Sequence, residues 1–195
     1  MYLQELRKGA MYMSQFAEKL DTPKGVSSIH TTKRLTVAAV FMAMNIALSS
    51  VSVPVPGGHL YVNDIVICLA ALLFTPREAF FIGGVGAFLG DFFFYPAPMF
   101  VSLVTHGLEA YAVSSLVART GWTRSKLWVA FALLVGAVIM VTGYSLGRAF
   151  VYSTPEYAWI KLPFEILQAG IGVVVAYFVY FFTGFYGLWQ SYWKR

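Results

Sequence analysis

The chain has 195 residues, of which 58% are hydrophobic and 12% charged, and its mean hydropathy is +0.67. A soluble domain carries roughly 25% charged residues, so this composition excludes one and leaves no room for an appended soluble enzyme. The formal net charge of +5 would suit a nucleic-acid partner, but the basic residues are distributed as membrane topology distributes them.

In chain order, residues 1–30 form a polar to amphipathic leader, expected in the cytoplasm or on the membrane surface. The first apolar run begins near Leu35, so no cleavable signal peptide is expected. A spanning helix needs about 20 apolar residues. Six helices are predicted, at 35–52, 60–75, 79–94, 99–118, 127–148 and 160–186, in one transmembrane domain over 31–190. Pro54, Pro56, Gly57 and Gly58 end the first, and Thr75-Pro76-Arg77-Glu78 parts the second from the third. Tyr95-Pro96-Ala97-Pro98, the polar stretch Arg119 to Lys126, and Ser153-Thr154-Pro155-Glu156 mark the remaining breaks. The single cysteine, Cys68, lies in an apolar run, which excludes an internal disulfide and a multi-cysteine metal site.

Orientation follows from the loops. Of the 14 basic residues, all but Arg148 and Lys161 fall in the leader, the second-to-third and fourth-to-fifth connections, or the tail. The expected fold is therefore an all-α membrane protein of six transmembrane helices with both termini cytoplasmic. On that topology the polar residues inside the membrane gather toward the outer side. Asn63 and Asp64 sit at the outer end of the second helix and Asp91 near the outer end of the third. Arg148 ends the fifth outside, while Lys161 and Glu165 open the sixth. His106, Glu109 and Gln168 lie two to three turns deeper. Charges at such depth cost several kcal/mol unless paired or facing a water-filled cavity, which makes them candidates for function. Their one-sided placement favours a pocket open to the outside; the bland alternative is structural pairing, as between Lys161 and Glu165 at i,i+4 spacing. The outer segments also carry His59 and Tyr61, Phe92 to Tyr95, Tyr144, Tyr152, Tyr157 and Trp159. Most such rings form an interfacial belt. Those that converge with the polar groups suit a flat heteroaromatic ligand.

Ala39, Ala43 and Ala47 recur every four residues on the first helix, a stripe that lets another helix approach closely, whether from a partner or from the same chain. Gly83, Gly86, Ala87 and Gly90 make a comparable stripe, expected to serve internal packing. With the six-helix size and the run from Gly57 to Phe93 (GGHLYVNDIVICLAALLFTPREAFFIGGVGAFLGDFF), these features resemble the substrate-binding S components of energy-coupling factor (ECF) vitamin transporters over residues 31–187. The branch resembled is the one assigned to hydroxymethylpyrimidine and pyridoxine. The resemblance implies capture of a water-soluble vitamin or precursor from outside the bacterial cytoplasmic membrane. It further implies that Ala39, Ala43 and Ala47 dock on a transmembrane coupling subunit, itself carried by two ATPase subunits.

On this reading the chain is not an enzyme and needs no cofactor or metal. No GxxxxGK[ST] phosphate-binding loop is present, so ATP hydrolysis falls to the partner chains. The candidate ligand-binding residues are His59, Asn63, Asp64, Asp91, His106, Glu109, Tyr144, Arg148, Lys161, Glu165 and Gln168. Their carboxylates disfavour a strongly anionic ligand, although Arg148 and Lys161 could admit one; pyridoxine or hydroxymethylpyrimidine ranks first and other vitamins second. Two alternatives stay open. A small secondary transporter would show paired halves or broken helices, and an intramembrane metal-dependent enzyme would need a tighter ligand cluster than histidines at 30, 59 and 106 provide.

Overall fold

A computed structural model describes residues 24–119 and 125–194. Most of the leader expected over 1–30, and the centre of the basic stretch after Arg119, lie outside the described residues. The chain divides into a unit ending at Val37 and a second unit from Ala38 onward; helix α1 runs through that boundary, and the contacts below are those of the second unit.

Helix α1 (Lys24–Ser49) is followed by a hairpin of β1 (Ser52–Val55) and β2 (Gly58–Tyr61). Next come α2 (Asp64–Leu73) and α3, which starts at Pro76–Phe80, widens into a π turn at Phe81–Val85 and continues as Gly86–Phe94. Then follow α4 (Met99–Arg119), α5 (Lys126–Gly147, prolonged by a π turn at Arg148–Tyr152), α6 (Pro155–Phe182) and α7 (Phe185–Lys194). Among the described residues, Met99–Arg119, Lys126–Tyr152 and Pro155–Phe182 are each long and apolar enough to cross a membrane.

Several boundaries differ from expectation, α1 starting at Lys24 and not at residue 35 among them, and three have a clear local cause. The second helix was expected from residue 60, but the chain is extended to Tyr61 and α2 has only 10 residues, a rise of about 15 Å. The cause is the turn. Pro56 fixes φ, Gly57 takes φ 83°, and together they meet the demands of a type II turn that pairs Val55 with Gly58 and Ser52 with Tyr61. The sixth helix, expected over 160–186, begins five residues earlier because Pro155 suits the first helical turn. It stops at Phe182 because Gly184 adopts φ 72°, and the chain resumes as the separate helix α7. The all-α class therefore holds apart from one small hairpin.

Close helix approaches position the site. A Cβ on Gly143 would lie 2.6 Å from the Thr105 hydroxyl, and one on Gly147 would collide with Val101, so the α5 backbone packs directly on α4 side chains. On α3, a Cβ at Gly83 would lie 2.9 Å from the His106 carbonyl and one at Gly84 2.6 Å from the Leu103 carbonyl. The glycine stripe of α3 thus serves internal packing, as expected. On α1, Phe41, Asn45 and Ser49 are buried at four-residue intervals, whereas Ala39, Ala43 and Ala47 are exposed. The alanines are therefore not the face by which α1 packs on its own chain.

Candidate functional site

The hairpin lies over a pocket of about 20 Å³ walled by α3, α5 and α6. Its roof is Gly58, His59 and Tyr61; Tyr95 and Pro98 come from the α3–α4 connection. Asp91 comes from α3, Met140, Tyr144, Arg148 and Tyr152 from α5, and Lys161, Glu165 and Gln168 from α6. A free space of this size holds about one water. Two acidic and two basic residues line it, so their formal charges cancel.

Arg148 organises the wall. Its Nη2 donates to Glu165 Oε1 at 2.9 Å, and its Nη1 donates to the Gly57 carbonyl at 2.7 Å. The Ser145 hydroxyl donates to the other oxygen of Glu165 at 3.4 Å. The ion pair of Glu165 is thus made across α5 and α6, not along α6 with Lys161 as i,i+4 spacing suggested. Lys161 is 1% exposed and lines the pocket. Glycine is favoured in the turn because Gly57 and Gly58 take positive φ (83° and 151°), and a Cβ on Gly57 would also press on Lys161 Cβ at 3.0 Å.

Several polar atoms around the pocket lack a partner. His59 Nδ1, Arg148 Nε and Tyr152 Oη are buried without a hydrogen bond. Buried polar groups are nearly always satisfied, so three orphans around one cavity mark where bound water or a ligand supplies partners. Arg148 Nε can only donate, which calls for an acceptor at that wall. The roof is aromatic: His59 packs edge-on to Tyr95 at 5.2 Å between ring centroids. Burial pushes the Tyr61 phenol above its ordinary value, and the nearby Asp91 charge adds to this. Tyr61 is therefore a neutral hydroxyl at any physiological pH.

A second layer lies beneath. Tyr144 donates to Ser102 at 2.5 Å, and Ser102 in turn donates to Asp91. Gln168 Nε2 donates to Asp64 Oδ2 at 2.9 Å, while Gln168 Oε1 accepts from the Tyr61 backbone N–H at 3.0 Å. His106 bridges two carboxylates: Nδ1 meets Glu109 at 2.8 Å, and Nε2 lies 3.6 Å from Asp64 Oδ1. Cys68 donates to the remaining oxygen of Glu109 at 3.7 Å. The edge of the His106 ring meets Tyr144 at 5.2 Å. Among the described residues no cluster of three or more His, Cys, Asp or Glu has metal-binding geometry.

Of the residues singled out from sequence, the pocket gathers His59, Asp91, Tyr144, Arg148, Lys161, Glu165 and Gln168. Asp64, His106 and Glu109 form the layer below. Asn63 stands apart, donating to Asn45 at 3.1 Å and to Ser49 at 3.3 Å. Asn45 in turn donates to the Ile82 and Gly83 carbonyls in the π turn of α3. Sequence reading left Asn45 and Ser49 aside, though two polar residues four apart in an apolar helix were a usable signal. Met140 and Pro98 carried none.

Residues 29–183 match the model of a family described as "ECF-type riboflavin transporter, S component". The chain is 34% identical over 152 residues to the thiamine precursor transporter HmpT of Lactococcus lactis subsp. cremoris (strain MG1363), covering 74% of this chain and 83% of that protein. It is 32% identical over 139 residues to an uncharacterized protein of Pyrococcus woesei, covering 68% and 88% respectively. A match over this much of the chain decides the matter: the protein is a multi-pass membrane subunit for uptake of a vitamin or vitamin precursor, and it belongs to the family of ECF-type riboflavin transporter S components.

Proposed function

We propose that this S component captures a small, neutral, hydroxylated heteroaromatic, hydroxymethylpyrimidine first and pyridoxine second, in the pocket beneath the hairpin. The observation that carries the reading is the pocket itself: balanced formal charge, aromatic walls, and orphaned polar atoms that call for hydrogen-bond partners. Burying a net charge there would cost heavily without a counter-charge, and the formal charges of the lining already cancel. Relatedness to a thiamine precursor transporter supports the pyrimidine.

In the full proposal the chain crosses the bacterial cytoplasmic membrane six times behind a cytoplasmic leader, with both termini inside and the hairpin outside. Ala39, Ala43 and Ala47 dock on a transmembrane coupling subunit whose two ATPase partners drive inward release. Ligand must bind the free and docked states with different affinity, since equal affinity shifts nothing.

The test is equilibrium binding of hydroxymethylpyrimidine, pyridoxine and riboflavin to the purified chain in detergent without ATP. One-to-one binding of a single-ring ligand, weakened at least about tenfold by Lys161→Met (the loss of one charged hydrogen bond), is expected. Binding of riboflavin alone, or of none of the three to folded protein, would sink this choice of ligand.

A further inference from the structure

We infer that Asp64 dictates which way the Gln168 amide points, and thereby sets the hydrogen-bond polarity that the floor of the pocket offers its ligand. The inference rests on the pocket beneath the hairpin being the ligand site.

A primary amide can be turned end for end with almost no change of shape, so its neighbours must choose its orientation. Two of them do so here. The Tyr61 backbone N–H is only a donor, and it faces Gln168 Oε1 at 3.0 Å. Asp64 Oδ2 lies 2.9 Å from Gln168 Nε2, and an ionised carboxylate only accepts. Each neighbour enforces the orientation that the other requires. Reversing the amide would set donor against donor at Tyr61 and acceptor against acceptor at Asp64, both buried.

Asp64 can act this way because it is itself held. It is 2% exposed, and α6 crosses α2 so closely that a Cβ on Gly172 would lie 2.8 Å from Asp64 Cβ. Its second oxygen faces His106 Nε2 at 3.6 Å, and Glu109 fixes that imidazole from the other side at 2.8 Å. Asp64 does not line the cavity, whereas Gln168 does. Asp64 is thus a positioning residue: the group it aims leaves its second N–H for a ligand acceptor and ties β2 to α6. The same amide links the pocket floor to the roof, so polarity and roof closure are set by one contact.

The experiment is a charge exchange in the full chain. Asp64→Asn removes the obligatory acceptor, and Gln168→Glu sets two carboxylates against each other. The double variant restores one donor and one carboxylate with the positions swapped, and still leaves an acceptor for Tyr61. Exchange of the Tyr61 amide hydrogen, read by mass spectrometry on the hairpin peptide, needs no ligand. Each single variant is expected to exchange about tenfold faster than wild type, the loss of one buried hydrogen bond, and the double variant within about threefold of it. Size-exclusion profiles confirm folding, and recovery in the double variant separates positioning from general damage. Wild-type exchange in both singles, or a double variant no better than the worse single, overturns the inference. Binding of hydroxymethylpyrimidine and of pyridoxine is measured on the same four proteins and is expected to fall in both singles. In the double variant the polarity facing the ligand is reversed, so binding stays weak there while exchange recovers; recovery of binding overturns the polarity claim. If wild type binds neither probe, the ligand-site reading fails, and the exchange result still decides the Asp64–Gln168 coupling.

Discussion

Arg148 and Glu165 face one another at 2.9 Å between α5 and α6, and the same guanidinium reaches the Gly57 carbonyl at 2.7 Å. One side chain therefore joins two walls of the pocket to its roof. Arg148→Ala leaves Glu165 buried without its partner, and breaking such a pair costs about 3–5 kcal/mol. The expected result is a clearly lowered melting temperature together with lost ligand binding. Replacing both partners, Arg148→Met with Glu165→Leu, is expected to recover most of the stability and none of the binding. Thermal melts and binding isotherms on the three proteins check this; a double variant as unstable as Arg148→Ala would show that the pair is not what holds these helices.

The approach of α1 to α3 makes a second prediction. A Cβ on Gly86 would lie 2.5 Å from Asn45 Nδ2, and one on Gly90 would collide with the Ser49 hydroxyl. Both hydroxyl and amide are engaged, so neither can swing aside freely. Gly86→Ala or Gly90→Ala is expected to destabilise by about 1–3 kcal/mol, the usual cost of overpacking. Gly170→Ala on α6 meets nothing within 4 Å and should leave the melting temperature unchanged or raised. Equal effects at the three positions would contradict the packing described.

The long helices were legible because their apolar runs are bounded by proline or charge: 99–118 was expected and Met99–Arg119 found, 127–148 expected and Lys126–Tyr152 found. The hairpin was not, since Val53 to Tyr61 lacks the alternation of a half-buried strand and carries two prolines. What forms it is a two-residue turn seated against α6, a contact between residues about 100 positions apart. The same limit applies to the pocket. Sequence spacing pairs Lys161 with Glu165, its neighbour on α6, whereas the fold brings Arg148 to that carboxylate from another helix. Depth along a helix located Asp64, His106 and Glu109 beside the pocket-lining groups but could not separate the two layers, because facing depends on how the helices are rotated. Phe41 shows what sets that rotation for α1. It meets Phe74 at 5.3 Å and Trp189 of α7 at 6.3 Å, an aromatic contact from three separate segments.

The third prediction concerns pH. Because burial holds the Tyr61 phenol above its ordinary value of 10.0, the folded state favours the neutral hydroxyl. The unfolded chain then releases this proton first as pH rises, so the contribution is fully present below about pH 10 and is lost above it. Stability is expected to be insensitive to Tyr61 between pH 6 and about 9 and to decline more steeply above pH 10 in wild type than in Tyr61→Phe. Melting temperatures of the two proteins across that range provide the check; parallel curves above pH 10 would show that this phenol is not withdrawn from water.

The last prediction separates the two faces of α1. Ala39, Ala43 and Ala47 are exposed, while Phe41, Asn45 and Ser49 hold the helix to its own chain. A large side chain at Ala43 therefore points away from the buried face among the described residues, but it fills the shallow strip by which another helix could approach. Ala43→Trp is expected to keep the melting temperature and ligand affinity of wild type within about twofold, as surface substitutions usually do. The same variant should lose co-purification with the coupling subunit and reduce uptake in cells at least about tenfold, since a clash replaces close packing. Trp189→Ala provides the contrast. It acts from the buried face, removing one ring of the contact around Phe41, and should lower the melting temperature by loosening α1. Ala43→Trp with unimpaired uptake would mean that the partner docks elsewhere, whereas a lowered melting temperature in that variant would mean that the alanine face packs on its own chain after all.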